Sequence, residues 1–175
     1  MPYQLQLLGS PVLRKKTEPL DLREDRGEIE RFLPAMRDIL HRREGIGLAG
    51  PQANASLRVF LLDADRLPVE GHGVFINPEV SSSGREVYEE EGCLSIPGIF
   101  ERVKRRECSH VEAYDERGEL FSVDLRGLAA RAAQHEFDHL EGVLFIDHLS
   151  PIIKRMLRKK LREIRAEAEK LGQVG

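Results

Sequence analysis

The chain lacks the features typical of an exported, membrane-spanning or disulfide-stabilised protein. It has no tryptophan and only two cysteines, Cys93 and Cys108, in 175 residues. Two distant cysteines favour reduced thiols in the cytoplasm over a disulfide framework. No apolar run approaches the ~18 residues of a membrane span, and no basic-then-apolar leader is present. The net charge of −3 predicts no bulk attraction to DNA or other nucleic acid.

The most informative segment that is present reads His-Glu-x-x-His, at His135, Glu136 and His139. On an α-helix, residues four apart lie on one face, about 40° apart around the axis. Two such imidazoles can hold one divalent metal, and the intervening carboxylate can reach a water that the metal acidifies. The same pattern on a solvated helix face is the alternative, so the spacing alone indicates hydrolysis without proving it.

A catalytic metal site of this kind needs a third protein ligand and one open position. The two usual downstream places for that ligand are poorly filled, because Phe145 stands at one and Glu163 lies in a basic helix at the other. Upstream, Cys93 lies in the Gly- and Pro-punctuated segment 92–98, which is predicted to be a loop. A thiolate is a strong ligand for late first-row metals. A small buried apolar residue is the alternative interpretation of Cys93.

The hydrophobic pattern predicts one α+β domain over residues 1–175, with a mainly antiparallel sheet packed around a central metal-binding helix. An amphipathic helix precedes the sheet, and a basic amphipathic helix ends the chain. The predicted helices span residues 24–43, 127–142 and 151–171, and the predicted strands span 58–64, 74–76, 109–114 and 120–125.

Three segments occur in order and together resemble the motifs of the peptide deformylases, G-x-G-x-A-A-x-Q, E-G-C-x-S and Q-H-E-x-x-H. They are residues 45–52 (GIGLAGPQ), 91–95 (EGCLS) and 134–139 (QHEFDH). The resemblance spans nearly the whole chain, and three ordered motifs are far more specific than one. One departure is visible, since Gly50 stands where the family usually has a second alanine. The loss of that methyl group predicts slightly looser packing.

The resemblance implies a metal-dependent hydrolase that removes the formyl group from N-formylmethionyl peptides during protein synthesis. The implied metal ligands are Cys93, His135 and His139. Glu136 would be the general acid/base, while the Gln52 side chain and the backbone N–H of Leu94 would stabilise the oxyanion. The implied ion is Fe(II), although the donor set also suits Zn, Ni or Co.

The substrate-binding residues are predicted from their positions near these motifs. Gly45 and Gly47 would let the backbone of an extended peptide approach and pair. Ile46, Leu128 and Ala132 would form the apolar pocket for the methionine side chain, with ordinary core packing as the alternative. Arg131 would either reach the peptide or point to water.

The final helix allows a further hypothesis. Its apolar residues Ile152, Ile153, Met156, Leu157, Leu161 and Ile164 are predicted to lie on one side, with lysine and arginine around the other. A helix docked on the domain with a solvated basic face is the simpler interpretation. Contact with ribosomal RNA is the sharper one, because basic helices bind the RNA backbone.

Three rival functions stay open at this point. The first is a zinc endopeptidase, which would not use Cys93 as a ligand. The second is a closed structural zinc site formed by Cys93, Cys108, His135 and His139, which would leave Glu136 without a role. The third is a ribosome-binding module without catalytic activity.

Overall fold

One antiparallel sheet and three helices form the architecture of the computed structural model, which describes residues 3–69 and 73–174. The strands follow one another in the sheet in chain order, and each pairs with its neighbour in antiparallel fashion. The strands are β1 (Gly47–Ala49), β2 (Val59–Leu62), β3 (Val74–Cys93), β4 (Ile96–Tyr114) and β5 (Leu120–Arg126), and the helices are α1 (Arg26–Arg42), α2 (Gly127–Leu140) and α3 (Pro151–Lys170). The predicted α+β class is confirmed. Within the described ranges, no helix has the length and apolarity to cross a bilayer.

Helix α1 forms where the periodicity predicts it, and it covers one part of the core. Its inward stripe consists of Ile29, Phe32, Leu33, Met36 and Leu40, all buried. These side chains recur every three or four residues, so they share one face of the helix. They pack with β2 and with Leu48 of β1, and this contact anchors the start of the first motif.

Strands β3 and β4 form a much longer ribbon than the sequence pattern predicts. The pattern indicates strands only at residues 74–76 and 109–114, whereas the paired strands extend over Val74–Cys93 and Ile96–Tyr114. Much of the ribbon is exposed on both faces, so the apolar alternation that marks a half-buried strand is missing. Cross-strand ion pairs occupy this part instead, including Arg85–Glu107 at 2.7 Å and Lys104–Glu86 at 3.1 Å.

Helix α2 packs against the sheet through small side chains. Ala129, Ala130, Ala132 and Ala133 are all buried in a cluster that includes Phe60 and Phe75 of the facing strands. Alanine lets the helix backbone approach the strands closely while it keeps the highest helix propensity. The central helix of the prediction is therefore confirmed in place, and it ends at Leu140, two residues before the predicted stop at Gly142.

Helix α3 begins at the predicted proline. The hydroxyl of Ser150 accepts a hydrogen bond from Ile153 N and caps the helix. The buried stripe is Leu157, Leu161, Ile164 and Ala168. The prediction that all six apolar residues share one side is wrong, because Ile152 is 70% exposed and Met156 is 75% exposed. Both lie roughly 100° or more around the axis from the buried stripe, given 3.6 residues per turn.

Candidate metal centre

Three donor atoms from two distant segments converge at one end of the sheet. Helix α2 places His135 and His139 one turn apart, with their Nε2 atoms 3.2 Å from each other. The end of β3 brings Cys93 beside them, with Sγ 3.3 Å from His139 Nε2. Cys93 therefore lies at the tip of the β3–β4 hairpin, and the predicted loop at 92–98 is mostly strand. The three side chains form the one group of potential metal ligands found among the described residues.

The donor atoms fit one tetrahedral ion. Imidazole nitrogens at about 2.05 Å and a thiolate at about 2.3 Å from a tetrahedral metal would lie about 3.3 Å (N to N) and about 3.6 Å (N to S) apart. The observed 3.2 and 3.3 Å are close to these values. Three buried or half-buried lone-pair donors packed this closely repel one another unless a cation or proton lies between them. The chemistry and spacing therefore suit a divalent metal.

A buried carboxylate fixes the orientation of the first imidazole. Glu91 accepts a hydrogen bond from His135 Nδ1 at 2.5 Å, which leaves His135 Nε2 free to present its lone pair to the other donors. Burial would raise the pKa of Glu91, but the hydrogen bonds from His135 and Arg105 outweigh burial and hold the pKa well below its usual range. Glu91 is thus ionised, and Arg105 continues the network to Asp138 at 2.6 Å.

Arg131 belongs to the same buried network. Its side chain is 6% exposed, and its Nη1 atom donates to Glu91 Oε2 at 3.0 Å and to the carbonyl of Val103 at 3.0 Å. The Nη2 atom donates to the carbonyl of Val87 at 3.0 Å. The prediction that Arg131 points to water is wrong, because its side chain is buried. Contact of Arg131 with a peptide stays a prediction. The guanidinium supports the carboxylate behind His135 and also forms part of a cleft wall.

Glu136 lies beside the ligand atoms without joining them. It is buried, and its Oε2 atom has no hydrogen-bond partner among the described residues. Burial raises the pKa of the Glu136 carboxyl to about 7. A carboxyl group with such a pKa exchanges a proton readily near neutral pH, as a general acid/base must.

The first motif meets Glu136 at Gly47. A Cβ atom built on Gly47 would lie 2.5 Å from Glu136 Oε1 and 2.9 Å from its Cγ. Real Cβ atoms essentially never approach a neighbour this closely. Gly47 is therefore needed for the close approach of Glu136, and its pairing with the backbone of a peptide stays a prediction.

Gln52 faces the sulfur of Cys93 from a short 3-10 helix, Gly50–Ala53. Its side chain is buried, with 1% of the residue exposed. Its Oε1 atom accepts from the backbone of Ala49 at 2.9 Å. This fixes the amide orientation, so that Nε2 points to Cys93 Sγ at 3.4 Å and to Ser95 Oγ at 3.2 Å. Leu94 lies between these two partners in the turn of the hairpin.

A cleft of about 580 Å³ opens directly onto these groups. Its lining includes every residue that the sequence predicts for substrate binding: Gly45, Ile46, Gly47, Leu128, Arg131 and Ala132. Cys93, His135, Glu136 and Gln52 line the same cleft. A larger cavity of about 710 Å³ shares no lining residue with it, and is lined by residues of α1, by residues 61–65 and 73–74, and by the β4–β5 turn.

Two sequence interpretations need correction. Gly50 is not a loosened position, because an added Cβ would overlap the carbonyl oxygen of Leu57, and a shift of the backbone would be required. Cys108 lies on β4 opposite Arg126 and outside the described metal-ligand group. Among the described residues no four-donor group that includes Cys108 is found, so the closed zinc site is not supported. The third donor beside the two histidines is the upstream Cys93, unlike the downstream ligand of the endopeptidase alternative.

Sequence and structure comparisons agree on one family. The family model described as "Polypeptide deformylase" matches residues 2–155. The peptide deformylase of Thermotoga maritima is 40% identical over 163 residues, covering 93% of this chain and 96% of the relative. Peptide deformylase 1 of Clostridium perfringens is 44% identical over 144 residues, covering 82% and 95%. The solved peptide deformylase from Thermus thermophilus superimposes with a TM-score of 0.83 at 35% identity, covering 95% of this chain and 99% of that one.

Proposed function

The chain belongs to the polypeptide deformylase family, and from that premise we propose that it hydrolyses the N-terminal formamide of formylmethionyl nascent peptides and releases formate. The observation that carries the proposal is the convergence of one thiolate and two imidazoles beside a buried carboxylate. Glu136, Cys93 and His135 line one cleft, so a peptide bound there would lie against these three residues.

Cys93, His135 and His139 would hold one divalent metal ion. A metal in such a site supplies Lewis-acid polarisation and makes a water nucleophilic near neutral pH. Fe(II) is proposed as the physiological ion because of the family, while Zn, Ni and Co also suit two imidazoles and a thiolate. The thiolate ligand needs a reducing compartment, so the cytoplasm is the proposed location.

Glu136 is assigned the proton transfers. Its unpartnered Oε2 atom is available to accept a proton from the attacking water. The protonated carboxyl then returns that proton to the departing amine, which leaves as the free N-terminus of the peptide. A pKa near 7 suits both directions of transfer, because neither protonation state is strongly favoured.

Gln52 and the backbone N–H of Leu94 are assigned to the carbonyl oxygen as negative charge develops on it. The Gln52 amide is already oriented by Ala49, so little reorganisation is needed during the reaction. Two neutral donors that are oriented beforehand stabilise such charge strongly, and the loss of one typically costs about 10²–10³-fold in rate.

The proposed path of the peptide follows β1. This strand is at the edge of the sheet and pairs on one side only, with β2. Its first residue, Gly47, and the preceding Gly45 and Ile46 can therefore pair with an extended peptide through backbone hydrogen bonds. The methionine side chain would contact Ile46, Leu128 and Ala132 in the apolar wall.

Besides the peptide substrate, the proposed partner is the ribosome. The proposed organisation of the chain is a single catalytic domain, residues 1–175. Helix α3 supports this proposal because it exposes Ile152 and Met156 beside basic residues. Electrostatic binding to RNA falls steeply with salt. Sedimentation with ribosomes at low salt should therefore weaken for a double variant, Arg155→Glu with Met156→Ser. Unchanged sedimentation would contradict the proposal.

Formate release from a formylmethionyl peptide, measured anaerobically, tests the catalytic proposal. Glu136→Ala should abolish turnover while the protein retains its metal, whereas Cys93→Ala should lose both. Gly27→Ala serves as a control because an added Cβ there meets only the end of a flexible side chain, at 3.5 Å. Retained turnover in Glu136→Ala would contradict the assigned role of Glu136.

A further inference from the structure

A short N-terminal connector, residues 5–8, runs between the two loops that carry the proposed oxyanion donors. The backbone N–H of Gln6 donates to the carbonyl of Gln52 at 2.8 Å. The backbone N–H of Leu8 donates to the carbonyl of Ser95 at 2.9 Å. The connector thus joins the Gln52 loop and the tip of the β3–β4 hairpin, which carries the metal-ligating thiol.

The other edge of the connector is held by one side chain from the opposite end of the chain. The Oε1 atom of Gln173 accepts a hydrogen bond from Leu7 N at 2.7 Å, and its Nε2 atom donates to Leu5 O at 2.9 Å. In an extended segment, backbone groups of alternate residues point to opposite edges. A carboxamide has the same donor and acceptor as a peptide group, so Gln173 pairs with the connector as a neighbouring strand would.

The turn that ends α3 fixes the position of Gln173. The N–H of Gln173 donates to the carbonyl of Ala168 at 2.9 Å, and the N–H of Gly172 donates to that of Glu169 at 3.0 Å. This is the Schellman pattern, and it requires the positive φ of +68° found at Gly172. The buried face of α3 fixes the turn in place, so the carboxamide is aimed at the connector before any substrate binds.

We infer that Gln173 is a positioning residue for the reaction: it holds the connector, and the connector holds the Gln52 loop in register with the hairpin tip at Ser95. The inference rests on the proposed function for the role of Gln52. Gln173 lies beyond residues 2–155, the part matched by the family model, so it is a feature of this chain outside that region. Leu5 and Leu7 also line the cleft, which places the connector against the site itself.

Gln173→Leu is the test variant, because leucine has a similar size but makes neither hydrogen bond. We expect kcat to fall about tenfold, since a displacement of 1 Å at an active site can cost as much as ~10²-fold. Gln4→Leu is the matched control, because Gln4 is exposed immediately before the connector and the variant should keep its kcat.

A double-mutant cycle with Gln52→Leu separates positioning from general stability. If Gln173 acts through Gln52, Gln173→Leu should cost less than about twofold in the Gln52→Leu background. An equal loss of kcat in both backgrounds, or no loss in the wild-type background, would overturn the inference.

Hydrogen exchange gives a readout that does not depend on activity. The amides of Gln6, Leu7 and Leu8 should exchange faster in Gln173→Leu and stay unchanged in Gln4→Leu. Unchanged protection at Gln6 and Leu8 would also overturn the inference. Failure of the wild-type protein to release formate would count against the proposed function, and the exchange comparison would still decide whether Gln173 holds the connector.

Discussion

Gly47→Ala should disable the proposed base without disturbing the metal ligands. The new Cβ would lie 2.5 Å from Glu136 Oε1, while ordinary van der Waals contact begins at 3.4 Å. The carboxylate must therefore move by about 0.9 Å, and a displacement of this size can cost about 10²-fold in rate. Because the three atoms nearest to this Cβ all belong to Glu136, we expect kcat to fall by that factor.

The assay is formate release together with metal content, compared with Gly27→Ala. That control carries the same substitution on an exposed residue, so its kcat should match the wild type. Gly47→Ala should keep one metal per chain. Activity within threefold of wild type, or loss of the metal, would refute the argument that Gly47 makes room for the Glu136 carboxylate.

Two further predictions concern stability. Arg131→Met removes a buried partner of Glu91 and two carbonyl contacts. The free energy of unfolding, measured in urea at fixed metal concentration, should therefore fall by about 3 kcal/mol. A fall no larger than that of the exposed control Arg126→Met would contradict this. Partial burial raises the pKa of the Glu141 carboxyl, but the ion pairs with Lys16 and Arg58 outweigh burial and hold this pKa below the ordinary 4.5. Its charge therefore stabilises the fold above about pH 4.5, and this contribution is lost as the pH falls through the lowered pKa of the folded state. Glu141→Gln should accordingly be less stable than wild type at pH 7, and the difference should shrink as the pH falls below about 4.5. A difference independent of pH would contradict that origin.

The fold was predictable where one face of an element is buried and unpredictable where both faces are exposed. Helix α1 has a single apolar stripe, and its periodicity gives its bounds to within two residues at each end. The β3–β4 ribbon has no such stripe over much of its length, so its pairing depends on cross-strand partners that are distant in sequence. For Ile152 and Met156 the error is of the opposite kind, because an apolar pattern was assigned to one side of α3 and these two residues are exposed. Apolar residues on a helix need not share its buried face.

The candidate metal centre could be predicted because its donor residues lie in short sequence motifs. Cys93 could be identified from its neighbours in sequence, although the hydrophobic periodicity did not predict the strand that ends at Cys93. The supporting residues could not be identified in this way. Arg131 contacts Glu91, which is 40 residues away in sequence, and Gln173 contacts Leu7, which is 166 residues away. Neither residue lies in a local sequence pattern that indicates its contact. The acidic residue of the second motif, Glu91, was the one signal that could have pointed to the network behind His135.

The ligand environment of the metal in the anaerobically isolated protein tests the central claim most directly. X-ray absorption at the metal edge should show one sulfur at about 2.3 Å and two imidazole nitrogens at about 2.0–2.1 Å, with a further light atom from solvent. In Cys93→Ser the sulfur contribution should disappear and the metal content should fall. A spectrum without sulfur, or one with a fourth protein side chain on the metal, would contradict the account.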